Sequence, residues 1–124
     1  MRKQYHFWPG DGGLDAWDVD RLIELTKDHP VEEVPLSDIR ELDSSYWCGP
    51  GDQLTVREIV EHFCLTSEAD LSYPIILGPD GRVMDGMHRV ARALLEGRKR
   101  INAVRLSPLP PPDHTNCHPD ELPY

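Results

Sequence analysis

The stretch Tyr73-Pro74-Ile75-Ile76-Leu77-Gly78-Pro79-Asp80-Gly81-Arg82-Val83-Met84-Asp85-Gly86-Met87-His88-Arg89 decides the reading of the fold. Pro74 to Leu77 is an apolar run of strand length, Gly78-Pro79-Asp80-Gly81 is turn chemistry, and Arg82-Val83-Met84 is the return strand, so a hairpin is expected. Gly86 then breaks into a helix over Met87 to Glu96, closed by Gly97 as a C′ glycine. Met87, Val90, Ala91 and Leu94 form its core-facing stripe. Ile101 to Leu106 alternates as a final strand.

Outward from this unit, Leu14 to His29 carries Trp17, Leu22, Ile23 and Leu25 with acidic residues early and Pro30 as a stop, which predicts a helix over Ala16 to Asp28. Val31 to Pro35 is a short strand candidate, and Ser37 is placed to cap one helical turn through Glu41. Tyr46 to Gln53 reads as a loop around Gly49, Pro50 and Gly51. Thr55-Val56-Arg57-Glu58 is a capping box, and Val56, Ile59, Val60, Phe63 and Cys64 follow as one apolar stripe, so this helix is expected to bury that stripe, with Cys64 as a small core residue. After Ser107 come six of the twelve prolines, predicting an extended, surface-bound tail. The expected organisation is one α+β domain over residues 1–106, a mixed sheet with flanking helices and an N-terminal helical extension, followed by a proline-rich tail over 107–124.

At 124 residues a single core removes roughly two-thirds of the unfolded chain's surface, so folding requires neither disulfides nor a metal. Three cysteines without a CxxC spacing fit a reducing compartment. No apolar run nears the roughly 20 residues that span a bilayer, and no signal-like stretch follows Met1, so a soluble cytoplasmic protein with no membrane partner is expected. The net charge of −9 is unevenly spread: Arg82 to Arg105 carries +5 and the remainder −14. That balance disfavours coating DNA, whose binding rests on phosphate neutralisation, but it allows one compact phosphate pocket.

The chemistry concentrates in Asp85-Gly86-Met87-His88-Arg89, where a strand turns into a helix. A helix start offers unpaired N–H groups and the positive end of the macrodipole, and Gly86 would let a ligand come close to the backbone. His88, Arg89 and Arg92 lie on neighbouring rows of one polar face, able to meet a phosphate together. The plain alternative makes Asp85 an N-cap ion-paired to Arg89 and His88 an ordinary surface imidazole. His114 to His118 holds potential metal ligands but no second cluster, and Trp8, Trp17 and Trp47 are read as core or lid aromatics.

Residues 73–106, with the entry segment Val34-Pro35-Leu36-Ser37-Asp38-Ile39, resemble the ParB/sulfiredoxin superfamily over about a third of the chain. The resemblance implies a small α+β domain binding nucleotide phosphates at the helix start, with Gly86, His88 and Arg89 on the phosphate-binding positions. Sulfiredoxins carry their essential cysteine directly after the glycine; Met87 stands there, so sulfinic-acid repair is not expected. ParB partition proteins continue into a helix-turn-helix region, where this sequence has its proline-rich tail. The local motif is most similar to the free-serine kinases, Asp-Gly-x-His-Arg, which implies a glutamate base after the entry strand; Glu41 is the nearest candidate and Asp43 competes. The implied ligand is ATP, ADP or CTP with Mg²⁺, held in part by Asp85 or Glu41, and the implied partner a small-molecule acceptor. The alternative is a non-catalytic nucleotide sensor or protein-docking module; DNA binding ranks last.

Overall fold

A computed structural model describes residues 3–10, 12–49 and 51–124. The hairpin forms as its turn chemistry dictates: β4 (Ile75–Leu77) pairs antiparallel with β5 (Val83–Asp85), and Gly81 takes a φ of +89° that favours glycine. Helix α3 (Met87–Leu95) follows, then β6 (Arg100–Arg105), which returns parallel to β4. The entry strand β3 (Glu32–Pro35) adds antiparallel to β6, giving a four-stranded mixed sheet in the order β3-β6-β4-β5. The fold class is thus α+β, with a mixed sheet and flanking helices.

Alternation along the strands feeds two cores, one on each face of this sheet. Ile75, Leu77, Val83, Ile101 and Ala103 face α3 and pack with Met87, Val90 and Ala93. Ile76, Met84, Val104 and Leu106 face the other way and close over Trp17 and Leu22. Leu94 is exposed, contrary to expectation, and Ala93 is buried in its place. The helix lies on the sheet along the Met87, Val90, Ala93 row, a three-residue ridge that turns Leu94 outward.

The expected helix over Ala16 to Asp28 is corrected. Leu14–Asp18 is strand β2, paired antiparallel with β1 (Tyr5–Pro9), and α1 is confined to Val19–Thr26. Ala16 and Trp17 are buried in the strand, and Asp18 ends it by accepting from Asp20 N at 3.0 Å, capping α1. The acidic residues that suggested a first helical turn therefore straddle a strand-to-helix junction. The tail supplies β7 (His114–Cys117), which pairs with β2 and completes a second, three-stranded sheet β1-β2-β7.

Ser37 does not cap a turn. Two short 3₁₀ turns, Leu36–Asp38 and Arg40–Asp43, flank an extended Ile39 that is 2% exposed; burying Ile39 interrupts the helical path. Helix α2 (Val56–Glu68) has the expected capping box, with Glu58 N donating to Thr55 Oγ1 at 3.2 Å. Its stripe is not core: Val56, Ile59, Val60 and Phe63 are 79, 52, 54 and 59% exposed, and Cys64 is exposed too. The sheet face that could have received this stripe is already covered by α3 and the 3₁₀ turns, so α2 meets the body through its polar side. Among the described residues, no helix is long and apolar enough to cross a membrane.

Candidate functional site

The site grows from the end of β5. Gly86 has φ +105°, and a Cβ there would sit 2.7 Å from Ile75 Cγ2 and 3.0 Å from the Arg89 guanidinium. Glycine is thus required by backbone conformation and by the chain's own packing rather than by room left for a ligand. It is also the residue that caps α3, with no side-chain hydrogen bond, so Asp85 is not the N-cap and the first amides of α3 have no side-chain acceptor among the described residues.

Asp85 instead accepts from Arg89 Nη2 at 2.8 Å, with both side chains largely buried. Burial pushes the Asp85 carboxyl above its usual range, opposed by the Arg89 charge and by hydrogen bonds from Arg89 and the Gly86 amide. Arg89 Nη1 also donates to the carbonyls of Pro74, at 2.9 Å, and Tyr73, at 3.2 Å, clamping the helix start to the head of β4. Arg92 lies three residues, just under one turn, further along α3. It donates to the Ser67 and Ala69 carbonyls at the end of α2 and to Glu96 at 2.8 Å, where a cation suits the negative end of a helix. The expected trio of His88, Arg89 and Arg92 is therefore split among three sets of partners within the chain.

His88 joins a different cluster. Its Nε2 lies 2.8 Å from His62 Nδ1 on α2, so one ring donates and the other accepts. Trp47 stacks over both, with centroids 4.3 Å from His62 and 4.9 Å from His88. Burial, reinforced by His62, lowers the His88 pKa.

Glu41 reaches the same strand from the second 3₁₀ turn. Its Oε2 accepts from Val83 N at 2.6 Å, on the outer edge of β5, while Oε1 is buried without a partner among the described residues. Asp43, the competing acid, is exposed. Tyr46 completes the group: desolvation, with the fields of Glu41 and Asp85, pushes its phenol up to about 12, although the residue is 37% exposed. Beside it an open groove of about 480 Å³ is lined in part by Ser44, Tyr46, Trp47, Cys48 and Gln53.

Tyr46, Trp47 and His62 belong to no chemical motif in the sequence. Tyr46 and Trp47 sit in a segment read as loop, and the signal for His62 was its place on α2 away from the apolar stripe. Of the other aromatics, Trp17 is core, whereas Trp8 is 45% exposed beneath the Arg82 guanidinium, 3.9 Å from its ring centroid, and is neither core nor lid. Among the described residues no group of three or more His, Cys, Asp or Glu could hold a metal ion, the His114 to His118 run included. No family model, curated protein or solved structure matches the chain.

Proposed function

We propose that the start of α3 binds the terminal phosphates of a nucleotide and that Glu41 and Asp85 serve phosphoryl transfer to the hydroxyl of a small molecule, as the resemblance to the ParB/sulfiredoxin superfamily implies. The observation that carries this is Glu41 drawn to β5, with Oε1 buried and unpartnered, on the strand that leads into Asp85 and the uncapped helix start. Uncapped amides and the helix dipole favour a phosphate there. Glu41 Oε1 takes the acceptor's proton as its oxygen forms the new P–O bond and the bond to the leaving nucleotide breaks. Mg²⁺ characteristically takes one or two carboxylates with phosphate and water oxygens; with Glu41 as the base, Asp85 is the carboxylate that would hold it, and bound, it would neutralise charge on the phosphates. A cytoplasmic setting accords with three free cysteines.

Titration calorimetry with ATP, ADP and CTP, each with Mg²⁺, tests the binding claim, and Glu41→Gln in a phosphate-release and transfer assay tests the chemistry. Gln keeps an acceptor for Val83 N but cannot take a proton, so nucleotide binding should persist while turnover falls at least about a hundredfold. Absence of binding by all three nucleotides at millimolar concentration would sink the reading. A second reading, a non-catalytic nucleotide-sensing module, is favoured by Arg89 and Arg92 being engaged within the chain; thermal stabilisation by nucleotide with no turnover selects it.

A further inference from the structure

Helix α2 is amphipathic in the reverse sense from a packed helix. Its inward contacts are polar: His62 meets His88, Thr66 is its one buried residue among those described, and Arg92 holds its last carbonyls. Outward it presents Val56, Ile59, Val60 and Phe63 on three consecutive turns, each more than half exposed, a contiguous apolar face of the kind that marks an interaction surface. The contacts of α2 with α3 at His62 and at its end hold this face toward solvent.

The charges beside the stripe identify what covers it. Arg57 and Glu61, four residues apart, lie on one flank of the stripe, and Glu68 lies on that flank at the far end. Arg57 and Glu61 are exposed and make no ion pair among the described residues. When two such helices face each other antiparallel about a two-fold axis, equal flanks meet and their order reverses, so Arg57 of each copy comes beside Glu61 of the other. The flank is therefore complementary to itself, with positive charge before negative along the helix, and the stripe between the pairs is closed by its own image.

We propose that α2 is a self-association surface, its Val56–Phe63 stripe packing against the same stripe of a second copy in an antiparallel, two-fold arrangement fixed by reciprocal Arg57–Glu61 pairs. A contact of one helix face per copy is small against the roughly 1,200 Å² of total area at which stable interfaces begin, so a weak, concentration-dependent dimer is expected. The proposal does not rest on the nucleotide reading: the stripe lies outside the Glu41, Asp85 and α3 group, and only Ile59 also lines the groove beside Tyr46.

Sedimentation velocity on the full chain from micromolar to millimolar concentration should show a rise from monomer to dimer mass. Phe63→Glu should keep it monomeric throughout with an unchanged melting temperature, since Phe63 is exposed in the single copy. Arg57→Glu alone should weaken association about tenfold, and adding Glu61→Arg should restore it, a rescue that generic stickiness would not give. A wild type that stays monomeric at millimolar concentration overturns the proposal. So does association indifferent to Phe63→Glu, or a double variant no tighter than Arg57→Glu alone; either would assign the stripe to another partner or geometry.

Discussion

Helices α2 and α3 lie side by side and have similar alternations of apolar and polar residues, yet they use them in opposite ways. α3 buries Met87, Val90 and Ala93 against the sheet and spends its polar face on the chain itself, through Arg89 and Arg92. α2 turns its apolar stripe to solvent and attaches by His62, Thr66 and its end carbonyls. Amphipathicity states that a helix has an apolar side; it does not state which side the rest of the molecule needs. That is decided by the sheet, whose face offers room for one helix, and the helix joined directly to the hairpin occupies it.

The sharpest way to break the comparison is to make one substitution in both helices. Val90→Asp places an unpaired carboxylate in the core and should cost at least about 4 kcal/mol in urea unfolding, whereas Val60→Asp should stay within about 0.5 kcal/mol. Equal costs would mean that α2 is packed after all.

What could be read from residues follows the same division. The hairpin, the glycine break, α3 and β6 were legible because each is signalled within a few residues, by Gly78 to Gly81, by Gly86 and by Gly97. The capping box announced where α2 begins for the same reason. β1, β2 and β7 were not legible as a sheet, because Asp15 and Asp18 resemble a helical first turn, which hides the local β1–β2 pairing, and because β7 joins β2 from the opposite end of the sequence. In the site, the residue types at Asp85, His88 and Arg89 were legible but their partners were not. Backbone carbonyls such as those of Pro74 and Ser67 leave no mark in a sequence, and Tyr46 joins Glu41 and Asp85 through the path of a loop.

Acid should next loosen both the body and the helix pair. His6 is buried, and desolvation, aided by the Arg82 charge, lowers its pKa to about 4. The unfolded chain binds that proton from about pH 6.5 downward and the folded chain does not, so stability falls between those values by about 3 kcal/mol in total. His88, lowered by burial and by His62, acts with the same sign, so stability is lost as pH drops below about 6.5. In a His6→Asn background part of the residual pH dependence should come from the junction between α2 and α3, and His62→Asn should reduce that part. Unfolding curves that are flat with pH would contradict both assignments.

Arg89→Ala removes the clamp at the start of α3 and leaves the buried Asp85 carboxylate unpaired, an expected loss of about 2–3 kcal/mol by chemical denaturation. Arg92→Ala should cost about 1 kcal/mol, and hydrogen exchange should speed chiefly in the last turn of α2 while α3 stays protected. If α3 loosened as much as α2, the two helices would be one cooperative unit rather than a core helix and an appended one.

The second sheet has a consequence of another kind. β2 and β7 are joined through residues as far apart as Leu14 and Cys117, 103 positions along the sequence, with the Cys117 thiol donating to the Leu14 carbonyl at 3.2 Å. The hairpin, α3 and β6, like β1 and β2, need only short loops to find one another, whereas the β2–β7 pairing must close nearly the whole chain into a ring before its contacts offset the lost entropy. Addition of β7 is therefore expected late in folding, and its parting early in unfolding.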